Sequence, residues 1–267
     1  MGNAIAHRGP DGEGTFRSGP VGLVHRRLAI IDLEGGRQPL SNEDESIHVV
    51  FNGEIYNYRE LRTSLESRGH VFRTHSDTEV LVHLYEEHGP DLCSHLRGMF
   101  AFAIWDARRR ELLIARDHLG QKPLYIYRDH EKLFFGSELK AVLAYPEIDR
   151  AIDPAAIEDY LTFGFIPGAR SIFGRVIRLP AAHHLRVSLS DFQSSPQRYW
   201  QLSFRNESRK TEDQWKEEIH EALQESVAAH LVADVPVGAF LSGGLDSSAI
   251  VAMMAGLRPD RVQTFSI

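Results

Sequence analysis

The segment LSGGLDSS, residues 241–248, places two glycines and three serines in eight positions between an apolar run and a helical pattern. Gly243 and Gly244 let the backbone approach a ligand and direct N–H groups at it, while the following helix presents its positive end. Asp246 could hold a Mg²⁺ ion that bridges phosphate oxygens. Further donors are the hydroxyls of Ser242, Ser247 and Ser248. The segment predicts an anion site, with phosphate as the expected anion.

Other interpretations of this segment are also open. It lacks the lysine of a GxxxxGK[ST] loop and does not match the GxGxxG fingerprint, so neither common nucleotide motif is present. A plain Gly-Gly turn with a Ser or Asp helix cap accounts equally well for the segment taken alone.

The surrounding elements form a β-turn-α-β pattern. Strand-like VPVGAFL precedes the turn, helical DSSAIVAMMAGL follows it, and strand-like RVQTFSI comes last. Such a unit pairs its strands in parallel. Upstream, a Thr211–Gln214 capping box predicts a long amphipathic helix. Its apolar residues recur every four positions: Trp215, Ile219, Leu223, Val227 and Leu231.

The chain up to about Leu189 has a different texture, with short β-rich runs. MFAFAIWD and ELLIARD, joined by Ala107 and three arginines, read as a hairpin. These runs predict an α+β domain with antiparallel sheets. Helix-start signals are the pairs Asn57–Glu60, Ser76–Glu79 and Asp153–Pro154, and expected C-caps are Gly69, Gly89 and Gly164. The expected domains are 1–190, a polar linker at 191–210, and an α/β domain at 211–267.

Composition excludes several function classes. The 267 residues carry a net charge of -7, which argues against a nucleic-acid surface. The densest apolar run, Met99–Trp105, is too short to span a membrane. A single cysteine and no apolar leader favour the cytoplasm. The 14 histidines, among them His7, His183 and His184, show no metal-site spacing, so no metal ligand is predicted.

Two sets of segments carry a family resemblance. HLVADVPVGAFLSGGLDSSAIV resembles the start of the synthetase domain of glutamine-dependent asparagine synthetases, and SGGLDSS within it resembles the pyrophosphate-binding loop of ATP-pyrophosphatases. The first domain is similar to the glutaminase half of these enzymes. The similar segments are HRGPDGEG, HRRLAIIDLEGGRQPL, FNGEIYNY, SDTEVLVHLY, GMFAFAIWD and RDHLGQKPLYIY.

The resemblance implies a fold and a reaction. The fold is an α+β N-terminal-nucleophile hydrolase sandwich, with antiparallel sheets between helices, followed by the start of an α/β ATP-pyrophosphatase domain. The reaction is ATP-dependent amidation of aspartate with ammonia from glutamine, with Mg²⁺ accompanying ATP. The implied ATP contacts are Leu241, Ser242, Gly243, Gly244, Asp246, Ser247 and Ile267.

Glutamine recognition is implied at a second set of residues. Glutamine is a zwitterion, and Arg27 would bind its α-carboxylate while Asp77 binds its α-ammonium, as the family's equivalents do. The Asn52 side chain and the Gly53 N–H would form an oxyanion hole. Leu28 and Ile31 would line the same wall, and Glu54 would help to hold the α-amino end.

Each of these residues also has an ordinary structural interpretation. Asn52-Gly53 between apolar runs is the commonest hairpin signal. Asp77, in a capping-box segment, could serve only the helix dipole. Arg27, beside another arginine, could be a solvated surface charge. Their joint occurrence favours the glutamine site.

The sequence departs from the family at the nucleophile. Class II amidotransferases attack glutamine with an N-terminal cysteine, whereas this chain has Met1 followed by Gly2. Cys93 is expected to be a buried structural thiol. The chain therefore looks truncated at both ends relative to the family, and we expect it to have neither glutaminase nor complete amidation activity by itself.

Three functions compete at this level. The first is asparagine synthesis, with glutamine, aspartate and ATP as partners and neither nucleic acid nor membrane involved. The second is a related amidotransferase with another acceptor, as in β-lactam-forming or sugar-modifying relatives. The third is a glutamine-binding remnant without catalysis. A homodimer is one assembly that the resemblance allows.

Overall fold

The computed structural model describes residues 1–190, 192, 194–204, 209–258 and 261–266. The chain divides into two compact units, Met1–Gln201 and Leu202–Ile267, and the division falls within the polar stretch expected to be a linker. Ile267, one of the implied ATP contacts, lies outside the described residues.

The described residues of the first unit form three antiparallel sheets. Its strands are β1 (Gly12–Ser18), β2 (Val21–Arg27), β3 (Leu40–Ser41), β4 (Ile47–Ile55), β5 (Gly98–Asp106), β6 (Glu111–Arg116), β7 (Tyr125–Arg128), β8 (Leu133–Gly136), β9 (Val176–Arg178), β10 (His183–Ser188) and β11 (Gln197–Arg198). The largest sheet has the order β11-β10-β6-β5-β4-β3. Smaller sheets pair β1 with β2 and join β8-β7-β9. The predicted β5–β6 hairpin is confirmed.

Alternation along the central strands places the core. In β5, Ala101, Ala103 and Trp105 join a buried cluster with Leu124 and Ile126, which lie in and beside β7. Phe100, Phe102 and Ile104 are equally buried and therefore point to the opposite face, because side chains alternate along a strand. Both faces of the large sheet are thus covered, as the nearly continuous apolar sequence of β5 requires.

Four helices accompany these sheets: α1 (Tyr58–Ser67), α2 (Glu79–His88), α3 (Leu139–Val142) and α4 (Pro154–Phe163). α2 lies against β3 and β4. Two 3-10 helices occupy Gly2–Arg8 and Gly89–His95. The predicted start of α4 is confirmed, since the Asp153 carboxylate accepts a hydrogen bond from the Ala155 N–H. Gly164 ends α4 in the left-handed conformation, Gly89 is the C-cap of α2, and Gly69 follows the C-cap of α1.

Two predicted capping boxes are wrong. The Asn57 side chain does not cap α1 but binds the His95 carbonyl and the Arg97 N–H. The Glu79 carboxylate binds the N–H groups of Arg73 and Thr74 instead of the chain at Ser76. Both pairs have capping-box spacing, but their side chains bind other groups. The partners of Asn57 are distant in sequence, and those of Glu79 lie before the first turn of α2.

The second unit contains α5 (Glu212–His230), β12 (Gly238–Phe240), α6 (Leu245–Leu257) and β13 (Gln263–Phe265). The Thr211–Gln214 capping box is confirmed, and β12 pairs with β13 in parallel as predicted. Of the residues described here, only Val227 and Met254 among the apolar ones are buried. The apolar stripe of α5 therefore forms but remains largely exposed.

Within the described ranges, no helix combines the length and apolar character needed to cross a membrane.

Candidate functional site

A pocket of about 280 Å³ opens in the first unit beside the sheet edge formed by β4. It is lined by apolar residues of the central strands and of β2, together with a smaller number of polar groups. All the residues implied in glutamine binding line it: Arg27, Leu28, Ile31, Asn52, Gly53, Glu54 and Asp77. The fold therefore brings together positions that are as much as fifty residues apart in sequence.

β3 pairs with only two residues of β4, and side chains bind several of the other backbone groups at this edge. The Gln38 side chain accepts a hydrogen bond from the Phe51 N–H at 2.7 Å, and His25 Nε2 lies 3.0 Å from the Phe51 carbonyl. The Asp77 carboxylate accepts from the Ile55 N–H at 2.9 Å. Because backbone groups two residues apart on a strand point the same way, the N–H of Gly53 also points to this edge. The Gly53 N–H lies between the N–H groups of Phe51 and Ile55, which are bound by side chains, and it faces the pocket.

Asn52 supplies a second donor at this place. Its Nδ2 atom is buried and has no hydrogen-bond partner among the described residues. A buried amide that is left unpaired costs about 1–3 kcal/mol, so its retention is typical of a ligand site. Asn52 and Gly53 lie inside β4, opposite Ala101 and Phe100, so the interpretation of this dipeptide as a hairpin turn is wrong.

Gly53 is required by close approach of the neighbouring strand. A Cβ atom there would lie 2.0 Å from the Met99 carbonyl oxygen and 2.8 Å from the Phe100 Cα. Only glycine lets β4 and β5 come this close while the N–H faces the pocket.

Asp77 forms the acidic wall and is almost completely buried. Burial raises its pKa to about 6, opposed by the hydrogen bond from the Ile55 N–H and reinforced by the charge of Glu54. Within the described part of the chain no cationic side chain forms an ion pair with it. A buried carboxylate in this state favours a cationic ligand, since an ammonium group would restore the interactions lost with water.

Arg27, at the end of β2, is held by the loop that follows it. Its guanidinium donates to the carbonyls of Leu33, Ile31 and Asp32, the last at 2.6 Å. These bonds use three of its five donors. Arg27 is thus not the freely solvated surface charge that its position beside another arginine suggested. Its fixed guanidinium leaves donors for an anionic group.

The remaining predicted residues differ in exposure. Ile31 is buried in the wall, whereas more than half of the Leu28 side chain is exposed at the rim. Glu54 lies one residue from the end of β4 and contributes negative charge next to Asp77.

Two pocket residues, His25 and Gln38, were missed by sequence reasoning. Burial lowers the pKa of His25 to about 4, so the imidazole is neutral and its Nε2 donates to the Phe51 carbonyl. Gln38 also donates through Nε2 to the Thr78 hydroxyl, which links β4 to the segment that carries Asp77. Both residues lie in the HRRLAIIDLEGGRQPL segment, but their contacts span the fold and leave no local pattern.

Cys93 lies in the 3-10 helix Gly89–His95, fully buried and outside the pocket lining. Burial raises the pKa of its thiol well above the ordinary value. The geometry agrees with a structural thiol and gives Cys93 no access to a ligand at Asn52.

The second unit holds the glycine-serine turn between β12 and α6. Gly243 has a positive φ of 79° and open space around it. Gly244 is the N-cap of α6 and no side chain caps the helix, so its first N–H groups are open to an anion. Ser242 and Ser247 hydroxyls lie 3.0 Å apart, and Asp246 is in the first turn. Leu241 is anchored through its N–H to the Phe265 carbonyl.

Comparison with known families gives two matches. The family described as "Glutamine amidotransferase domain" matches residues 1–200, and the family described as "Asparagine synthase" matches residues 218–267.

Individual proteins are also similar. Asparagine synthetase (glutamine-hydrolyzing) 1 of Bacillus subtilis (strain 168) is 41% identical over 267 residues, which is 100% of this chain and 42% of that protein. Amidase chry2 of Gibberella zeae is 36% identical, over 95% of this chain and 38% of that protein. The chain thus spans about two fifths of the length of these relatives.

A solved structure, glutamine phosphoribosylpyrophosphate amidotransferase from B. subtilis with ADP and GMP, matches 98% of this chain and 61% of its own. The TM-score is 0.51 at 19% sequence identity. This likeness shows the fold, and it confirms the predicted N-terminal-nucleophile hydrolase architecture of antiparallel sheets and helices.

Proposed function

The chain belongs to the glutamine amidotransferase domain family, and from this premise we propose that it serves the ATP-dependent amidation of aspartate, with glutamine as the nitrogen donor. Its first unit binds L-glutamine, and its second unit provides the phosphate-binding turn for ATP. The observation that carries the proposal is the pocket at β4, where a buried acid, a fixed arginine, the unpaired Asn52 amide and the Gly53 N–H converge.

The two ends of the pocket suit the charged groups of glutamine. Asp77, helped by the charge of Glu54, binds the α-ammonium, and Arg27 binds the α-carboxylate with its remaining donors. The buried position of Asp77 strengthens its Coulomb attraction to the ammonium, and this attraction offsets the hydration that both charges lose. Ile31 and Leu28 pack against the methylene groups of the side chain.

The carboxamide then lies at the edge of β4. The Asn52 Nδ2 group and the Gly53 N–H both donate to its oxygen, which gains negative charge when the carbonyl carbon is attacked. Donors that are fixed before the reaction stabilise this charge without reorganisation, and removing one such donor typically slows the reaction by about 100- to 1000-fold. These residues thus prepare the amide for loss of ammonia.

The attacking group is a separate requirement. The chain contains one cysteine, Cys93, and it is buried away from the pocket. We therefore expect these 267 residues to bind glutamine without hydrolysing it. The N-terminal residue and intact mass of the protein isolated from its source cells would show whether a cysteine precedes the pocket there.

In the second unit, the residues fit a nucleotide phosphate. The uncapped N-terminus of α6 and the Ser242 and Ser247 hydroxyls would hold phosphate oxygens, and Asp246 would hold an accompanying Mg²⁺. Leu241 and Ile267 are assigned to the nucleotide pocket from the resemblance. A cytoplasmic location and a homodimer also stay predictions, to be checked by fractionation and by light scattering.

Isothermal titration of the chain with L-glutamine tests the first unit. We expect measurable binding in the wild type and a loss of at least about 30-fold in Asp77→Asn, since truncating one partner of a buried charge pair costs about 2–5 kcal/mol. Asp159→Asn, a change at an aspartate in α4 outside the pocket, is the matched control. Equal affinity in all three proteins would contradict the proposed pocket.

A second candidate function keeps the glutamine pocket and changes the acceptor. The likeness to Amidase chry2 favours it, because that protein matches 95% of the chain under a different name. Turnover of the protein from its source cells with aspartate and with other carboxylic acids separates the two functions. Amidation of aspartate alone supports asparagine synthesis.

A further inference from the structure

Outside the glutamine pocket, a cluster of histidine and glutamate side chains gathers around the middle of α2. Its members are Glu43, His70, His83 and Glu86, with Glu79 and Glu87 directly behind them. They come from the turn after β3, from the segment after α1, and from α2 itself. These histidines were assigned no role in the sequence analysis, because no two of them share a local spacing typical of a metal site.

Three of the distances between their polar atoms are close to the edge of a coordination tetrahedron. Zn²⁺ binds nitrogen and oxygen ligands at about 2.0–2.1 Å, so two ligand atoms in a tetrahedral site lie about 3.3 Å apart. Glu86 Oε2 lies 3.0 Å from His83 Nδ1 and 3.3 Å from His70 Nδ1. His83 Nδ1 lies 3.7 Å from Glu43 Oε2. One ligand atom each of Glu43, His70 and His83 lie within 4.8 Å of one another.

The far sides of both imidazoles face carboxylates. His70 Nε2 lies 3.0 Å from Glu87 Oε1, and His83 Nε2 lies 3.9 Å from Glu79 Oε1. Metal-binding histidines usually donate their second N–H to a carboxylate, as His70 Nε2 can to Glu87, which fixes the tautomer that leaves the other nitrogen for the metal. His83 Nε2 is too far from Glu79 for a hydrogen bond and is buried without a partner among the described residues.

The carboxylates themselves are held in place. Glu79 accepts from the N–H groups of Arg73 and Thr74, both at 2.7 Å, and Glu86 Oε1 accepts from Asn42 Nδ2 at 2.8 Å. His83 is completely buried, His70 is 14% exposed and Glu43 is 33% exposed. The cluster is therefore rigid on the side of α2 and open to solvent at Glu43, which gives an ion an entry path.

We propose that His70, His83, Glu43 and Glu86 form a Zn²⁺ site. Two imidazole nitrogens with two carboxylate oxygens suit Zn²⁺, whereas Mg²⁺ and Ca²⁺ prefer oxygen ligands alone. A bound ion ties the turn after β3 and the segment after α1 to α2, the helix that begins two residues after Asp77. Its role is structural, because Glu43, His70 and His83 lie outside the pocket lining.

The test uses the 267-residue chain freed of metal with a chelator and titrated with ZnCl₂, with bound metal counted by mass spectrometry. We expect one Zn²⁺ per chain and a raised melting temperature, and no such rise with MgCl₂ at the same concentration. His70→Gln and Glu43→Gln, both at partly exposed positions, should weaken Zn²⁺ binding by about 100-fold or more, since loss of an outer-shell partner alone costs about 10- to 100-fold.

The matched controls are His130→Gln, at an exposed loop histidine, and Glu45→Gln, at an exposed glutamate in the same turn as Glu43. Circular dichroism establishes that every variant is folded. Absence of stoichiometric Zn²⁺ in the wild type overturns the proposal, and His83 is then a protonated imidazole paired with glutamates. Unchanged Zn²⁺ binding in His70→Gln and Glu43→Gln overturns it as well, because the ion then binds elsewhere.

Discussion

The two units of this chain each carry a predicted ligand site, but they support it differently. In the first unit the pocket at β4 is surrounded by strands whose side chains are buried on both faces, and its polar groups are fixed by contacts from distant segments. In the second unit the turn before α6 rests on two three-residue strands, and the apolar side chains of α5, β12 and β13 are largely exposed. A local motif is thus enough to form the glycine-serine turn, whereas the pocket at β4 depends on a core.

The largest expected difference concerns two phenylalanines on strands. Phe102 in β5 is 2% exposed and Phe240 in β12 is 73% exposed. Phe102→Ala should lower the free energy of unfolding by about 3–5 kcal/mol, because it leaves a cavity in a packed core. Phe240→Ala should change it by no more than about 0.5 kcal/mol. Urea unfolding measures both, and a cost above 2 kcal/mol for Phe240→Ala would break the comparison.

Two glycines sharpen the same contrast. In Gly53→Ala, the new Cβ would meet the backbone of β5 at 2.0 Å, so we expect a loss of about 3 kcal/mol, the upper range for overpacking. In Gly243→Ala there is open space, and only the left-handed conformation is disfavoured, by about 1 kcal/mol. Thermal unfolding and local hydrogen exchange report the two effects. Similar losses at both positions would mean that β4 and β5 can move apart freely.

The features of the second unit could be predicted from local spacing, whereas several features of the first unit depend on contacts between distant segments and could not. The glycine-serine turn before α6, the Thr211 capping box and the parallel β12–β13 pair follow from local spacing and were predicted. Phosphate binding at that turn stays a prediction. The capping boxes at Asn57 and Ser76 failed because Asn57 binds the distant backbone at His95 and Arg97, and Glu79 binds the backbone just before its helix. His25 and Gln38 were missed because their bonds to Phe51 join segments that no local pattern links. The pocket residues themselves came from the family resemblance, since spacing alone left each with an ordinary structural explanation.

We expect the pH dependence of glutamine binding to arise from ionisation of Asp77, the buried acid of the first unit. Burial raises the pKa of Asp77 to about 6 in the folded protein, above its ordinary value of 3.8. The folded state therefore takes up a proton more readily, and the stability linked to this group is present below pH 3.8 and lost as the pH rises through about 6. A bound ammonium offsets that loss and needs the ionised carboxylate.

Glutamine affinity should consequently fall about tenfold between pH 7 and pH 5, as Asp77 becomes protonated. His25, whose pKa burial lowers to about 4, does not change charge in this range. Titration calorimetry at several pH values gives the profile, and in Asp77→Asn the residual affinity should not vary over the same range. A wild-type profile that stays flat would mean that another group binds the ammonium.

The smallest expected effects are those at which the two units should agree. Thr211 caps α5 in the second unit, accepting from the Gln214 N–H, and Asp153 caps α4 in the first, accepting from the Ala155 N–H. Each bond joins residues within one helical turn and does not depend on packing against a core. Thr211→Ala and Asp153→Ala should therefore each cost about 1 kcal/mol, while Thr211→Ser and Asp153→Asn, which keep an acceptor, should cost much less.

Hydrogen exchange of the first-turn amides resolves this, with about a fivefold faster exchange expected for each alanine variant. If Thr211→Ala leaves exchange unchanged while Asp153→Ala accelerates it, the cap hydrogen bond does not stabilise the first turn of α5 against opening. The two units would then differ even in the stabilisation that a single cap hydrogen bond contributes. Equal acceleration confines the contrast to burial, because local bonds then have the same strength wherever they form.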